Sequence, residues 1–165
     1  MKDFETICVA SGVQIVSAPA NRFKTNEISI SFCTPLSAKT ASRNALCANL
    51  LARTTKKYPT LSEFNKKLAM LYGASVTCSV AKLGENQLLT LNASSLDDRF
   101  SFENDKISVD AFNLLMSMVF DANVDENGLF YSQDIDREKR LLAEKIESEE
   151  NEKRIYSLRR LEQIM

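Results

Sequence analysis

The sequence has no histidine among its 165 residues. That excludes Ser-His and Cys-His nucleophilic dyads, and with them any metal held by imidazole. Glycine and proline are scarce as well, at four and three, which leaves little material for long loops. No run of about 18 apolar residues is present, so no membrane-spanning helix is expected. The opening MKDFETICVASG has no apolar stretch and carries Asp3, so it does not read as a signal peptide, and a cytoplasmic location is expected. Cys8, Cys33, Cys47 and Cys78 form no C-x-x-C pair. Zinc sites usually bring such a pair on one turn, so the four read as buried free thiols and no cofactor is expected. A phosphate-cradling glycine loop, a dinucleotide-binding fingerprint and a G-x-S-x-G elbow are all missing.

Charge of one sign is also lacking. The net charge is −1, from 21 basic and 22 acidic residues. Nucleic acid needs clustered Lys and Arg to displace counterions, so no nucleic-acid partner is expected. The single basic cluster, 153–160, is interleaved with Ile155, Tyr156 and Leu158 and follows the acidic run 147–152. It reads as a helix surface of alternating charge.

What is present is the composition of a soluble globular domain, 44% hydrophobic and 26% charged. Residues 12–17 read as a strand broken by Pro19 and Asn21. Residues 26–33 alternate, with Ile28, Ile30 and Phe32 on one side, and read as its antiparallel partner. The period then becomes helical over 40–54, with Ala41, Ala45, Ala48 and Leu51 on one stripe. Thr60-Leu-Ser-Glu63 is a capping box, followed by Leu61, Phe64, Leu68 and Leu71 at helical spacing and Gly73 as the stop. Residues 74–80 and 87–92 alternate on either side of a Gly84-Glu-Asn turn and form a hairpin. Residues 109–120 read as a helix burying Phe112, Leu115, Met116, Val119 and Phe120. After the Asn127-Gly128 turn, Ser132 caps a long helix through Ile135, Leu142 and Ile146. Residues 147–154 hold no apolar side chain, so that helix bends, breaks or runs through solvent there. Ile155, Leu158, Leu161 and Ile164 resume an apolar stripe that is unfinished at Met165. The chain therefore reads as one C-terminally truncated domain, in which the exposed stripe could pair two copies. The order is β-β-α-α-β-β-α-α, an α+β fold with helices on one face of an antiparallel sheet.

The segment Asn44-Ala-Leu-Cys-Ala-Asn-Leu-Leu-Ala-Arg-Thr-Thr-Lys-Lys57 resembles the first helix of the insulinase-type (M16) metallopeptidases. That helix carries an inverted zinc motif, H-x-x-E-H, and a later acidic helix supplies a third ligand, a Glu. Asp136-Arg-Glu-Lys139 stands at the matching downstream place. In the family, two imidazoles one turn apart hold the metal and the Glu between them acts as base on its bound water. Carried over residue by residue, the first His falls on Ala45, the base on Ala48, the second His on Asn49 and the distal Glu on Lys145, with Glu144 beside it if the register slips by one. The resemblance thus implies a degenerate zinc site with no catalytic and no metal-binding residue. Phe23-Lys-Thr-Asn26 and Leu71-Tyr-Gly-Ala74 are similar to a bacterial subgroup of non-catalytic M16 homologues, which work beside a catalytic M16 sibling. The expectation is an inactive subunit that helps to form a peptide-binding chamber with such a partner. Two alternatives stand beside it: an interaction or scaffold module on the same fold, and a different enzyme built on Lys145 and neighbouring acids.

Overall fold

The computed structural model describes residues 4–18, 20 and 22–164. Its elements are β1 (Glu5–Ala10), β2 (Val13–Ser17), β3 (Thr25–Pro35), α1 (Ala41–Leu51), α2 (Leu61–Met70), β4 (Ser75–Leu83), β5 (Asn86–Leu96), α3 (Ile107–Phe120), α4 (Ser132–Asn151) and α5 (Lys153–Ile164), with a single 3-10 turn at Asp98–Phe100. This is a mixed α+β arrangement with antiparallel sheets, as expected, but it holds one strand and one helix more than the expected order.

The extra strand changes the pairing at the start. Residues 12–17 were expected to pair with the strand after them. Instead β2 pairs backwards with β1, in register Ile7 with Ile15. Gly12 belongs to the turn and not to the strand, at φ +76°, a conformation cheap for glycine only. The result is a separate two-stranded ribbon with Ile7, Val9, Val13, Ile15 and Val16 all more than half exposed. The expected breakers Pro19 and Asn21 lie outside the described residues.

The main sheet has the order β3-β5-β4. The expected β4–β5 hairpin is present, closed by Gly84 at φ +59°, which suits the first position of a tight hairpin turn. β3 lies on the other side of β5, in register Ile30 with Leu91. One face of the sheet presents Ile28, Ile30, Val76, Cys78, Leu91 and Ala93 to Phe64 and Leu71 of the α2 region and to Leu114, Leu115 and Met118 of α3. The other face carries Glu27, Ser29, Ser31, Thr77, Ser79, Thr90 and Asn92, which is the alternation of a sheet packed on one side only. Gln87, 4% exposed, fastens α1 to this sheet. Its Nε2 donates to the Ala41 carbonyl at 3.0 Å, and its Oε1 accepts from Asn44 Nδ2 at 3.0 Å.

Several local expectations shift. α3 buries Ile107, Ala111, Leu114, Leu115 and Met118, whereas Phe112 and Phe120 are 45% and 73% exposed. The helix is apolar nearly all round, so its period cannot say which side meets the sheet. The cysteines are free, but Cys8, Cys33 and Cys47 are exposed and Cys78 is half-buried. Cys8 sits on the ribbon, Cys33 on an edge strand and Cys47 on α1, where burial still pushes the thiol up from its ordinary pKa. Gly73 does end α2, yet Tyr72 is already left-handed at φ +58°. Its ring stacks on Phe102 at 5.9 Å and its hydroxyl donates to Asp105 Oδ2 at 2.6 Å. Ser132 is the first helical residue of α4 and not its cap; the Tyr131 carbonyl receives the Asp134 and Ile135 N–H groups. The helix does break within the apolar-free stretch, at Glu152 between α4 and α5. On α5, Leu158, Leu161 and Ile164 are exposed, and the Ile155 side chain lies outside the described residues. No helix among the described residues is long and apolar enough to cross a membrane.

The capping box at Thr60 is complete. Glu63 N–H donates to Thr60 Oγ1 and Thr60 N–H donates to a Glu63 carboxylate oxygen, both at 3.2 Å. Thr60→Ala is therefore expected to cost about 1 kcal/mol. Urea unfolding checks this, since the midpoint should fall while the slope stays unchanged.

Candidate functional site

α1 and α4 pack against each other. Asn49 lies in the last turn of α1 and Ala52 and Arg53 in the turn that follows it, while Glu138, Leu141, Leu142 and Lys145 repeat at helical spacing on α4. The α4 set shares one helix face. With Leu61, Phe64, Asn65 and Leu68 of α2 and Val76 and Cys78 of β4, these residues line a cavity of about 380 Å³.

In the cavity wall the Arg53 guanidinium pairs with the Glu138 carboxylate, their side chains being 17% and 9% exposed. Glu138 is the single buried carboxylate among the described residues. Asn49 and Lys145 also line the cavity. Burial pushes the Cys78 thiol up from its ordinary pKa, and the positive charge of Lys145 opposes that in part. Cys78 therefore stays a protonated thiol at neutral pH. The cavity's formal charges are two cations, Arg53 and Lys145, against one carboxylate, Glu138, which leaves it positive by one.

The four positions singled out in the sequence divide into two pairs. Asn49 and Lys145 line the cavity together. Ala45 is half-buried and Ala48 is 4% exposed, and neither lines the cavity. Glu144, the alternative to Lys145, is exposed and lies 3.7 Å from Arg140. These residues do not fit a zinc ion. Two alanines supply no donor atom, an asparagine amide is a weak ligand, and an ammonium repels a cation. Among the described residues no group of three or more Cys, Asp or Glu side chains converges as a metal site.

Arg53 and Glu138 are functional candidates that sequence reasoning passed over. The available signal was Glu138 itself, a carboxylate standing between Ile135 and Leu142 on the apolar stripe of α4. A charge on a buried stripe needs a partner. A second depression, of about 460 Å³, also borders Arg53 and is lined by Thr60, Asn123, Tyr131 and Arg137 among others.

No family model matches the sequence. The chain is 29% identical over 144 residues to a Bacillus subtilis (strain 168) protein named "Probable inactive metalloprotease YmfF". The chain is thus similar to an inactive metalloprotease homologue. The matched region is 87% of this chain and 34% of that protein. Among solved structures it superposes on the crystal structure of a conserved protein from Enterococcus faecalis V583, with a TM-score of 0.84 and 25% identity. That match takes in 93% of this chain and 36% of the other. The two chains share this α+β fold, and the present chain spans about a third of the length of each relative.

Proposed function

We propose that this chain is a non-catalytic, M16-type peptidase-like unit, which helps to form a peptide-binding chamber together with a catalytic M16 partner. The observation that carries this reading is the cavity between α1 and α4, which is lined by Asn49 and Lys145, residues that in this reading occupy the positions of two zinc ligands and cannot hold the metal. The similarity to an inactive metalloprotease homologue supports it. β4 supports the peptide-binding part. It has β5 as its only ladder partner among the described strands, and its Val76 and Cys78 border the cavity. An edge strand beside a cavity suits an extended peptide, which can add to the ladder and place a side chain in the cavity. The unit would act in the cytoplasm.

The purified chain, dialysed against zinc and mixed with a quenched fluorescent peptide, is expected to retain no stoichiometric metal and to show no turnover. Affinity capture from the native cell is expected to recover a second protein with an intact H-x-x-E-H helix. Bound zinc with turnover would overturn the non-catalytic reading. Capture of other proteins without such a peptidase would favour an interaction module on the same fold.

A further inference from the structure

We infer that the α1–α4 cavity is a receptor for a carboxylate that stands next to an apolar side chain, held by the Lys145 ammonium and the Asn49 carboxamide. The inference rests on the peptide-binding reading above and names the chemistry that the cavity takes.

Three observations carry it. Arg53 is neutralised within the cavity by Glu138, whereas Lys145 makes no ion pair among the described residues. Lys145 is solvent-accessible but lines the cavity, and its positive charge acts on the Cys78 thiol of the β4 wall. Asn49 lines the same cavity, and its carboxamide makes no hydrogen bond among the described residues. It brings two N–H donors, which with an ammonium make a set suited to the two oxygens of a carboxylate.

The rest of the wall selects among anions. Leu68, Val76 and Leu142 are aliphatic. They offer nothing to a strongly hydrated phosphate or sulfate, but they cover an apolar side chain attached to the carboxylate-bearing carbon. At about 380 Å³ the space suits one amino-acid residue, at the small end of ligand cavities. A peptide's free end and an acidic side chain within a peptide share this carboxylate chemistry.

The test is a titration of the ¹⁵N-labelled full chain, followed by nuclear magnetic resonance, with three probes: N-acetyl-leucine, N-acetyl-leucinamide and the α-amide of N-acetyl-glutamate. N-acetyl-leucine is expected to shift the Asn49 side-chain and Cys78 backbone signals, with the leucinamide about tenfold weaker. Lys145→Met should abolish that preference, Lys145→Arg should keep most of it, and Asn49→Ala should weaken the acid several-fold. If the glutamate α-amide is weaker than N-acetyl-leucine, the carboxylate comes from a peptide's end; if it matches, the adjacent apolar side chain is not recognised and that half of the proposal falls. Equal binding of acid and amide, no shift with any probe, or an acid preference that survives Lys145→Met would overturn the proposal. Capture of the peptidase is read separately. Loss of the acid preference with the peptidase still captured removes the receptor and leaves the chamber, and the reverse result removes the peptidase partner alone.

Discussion

Glu138→Ala is expected to destabilise the chain by about 3 kcal/mol, because it leaves the Arg53 guanidinium in a half-buried site without its partner. The pair is well covered, at 17% and 9% side-chain exposure, so the cost belongs with buried ion pairs and not with the small values of surface ones. The midpoint of urea unfolding reads it. Replacing both partners by leucine should recover most of the loss, since an apolar pair of similar volume needs no desolvation of charge. If the single variant unfolds at the parent's midpoint, the pair does not hold α4 on α1. The geometry of the cavity depends on this pair, because Glu138 and Lys145 lie two turns apart on one face of α4. Fixing the first sets where the second stands relative to Asn49.

Leu115→Ala should cost about 3–4 kcal/mol, through lost burial and the void left behind. Leu115 is 0% exposed and sits in the cluster with Leu91, Leu114 and Met118. Phe120→Ala on the same helix is the control. Its ring is 73% exposed, so its loss should change stability by about 0.5 kcal/mol or less. Comparable costs for the two would mean that the buried face of α3 has been misassigned. Differential scanning calorimetry separates them, with a drop of several degrees expected for Leu115→Ala alone.

These positions also show what could be read in advance. The Thr60–Glu63 box and the β4–β5 hairpin were legible because each depends on residues within a few positions of one another, while the apolar-free stretch after α4 marked an irregularity without choosing a break over a bend. The pairing of β3 with β5 was not, because alternation places side chains on a face and names no partner strand. The ribbon was missed for a smaller reason: Gly12, taken as the start of a strand, is the turn that folds β2 back onto β1. The buried face of α3 was hidden by an excess of signal, since Phe112 and Phe120 are as apolar as the residues that pack. At the site, Asn49 and Lys145 were marked in the sequence and meet in one cavity, whereas Ala45 and Ala48 stay out of it. Arg53 and Glu138 escaped because an ion pair across 85 positions has no local pattern.

The position of β5 between β3 and β4 also sets an order on how the chain can assemble. β4 and β5 are joined by a tight turn, so their ladder closes locally and fast. The β3–β5 ladder must instead close a loop that contains both α1 and α2. The entropy of that closure is lost before the ladder and the helices behind it can compensate. α1 is carried within the same loop, and Gln87 can clasp it only once it arrives at β5. The wall that bears Asn49 is thus among the last parts of the molecule to be set in place, on a sheet whose other wall is already built.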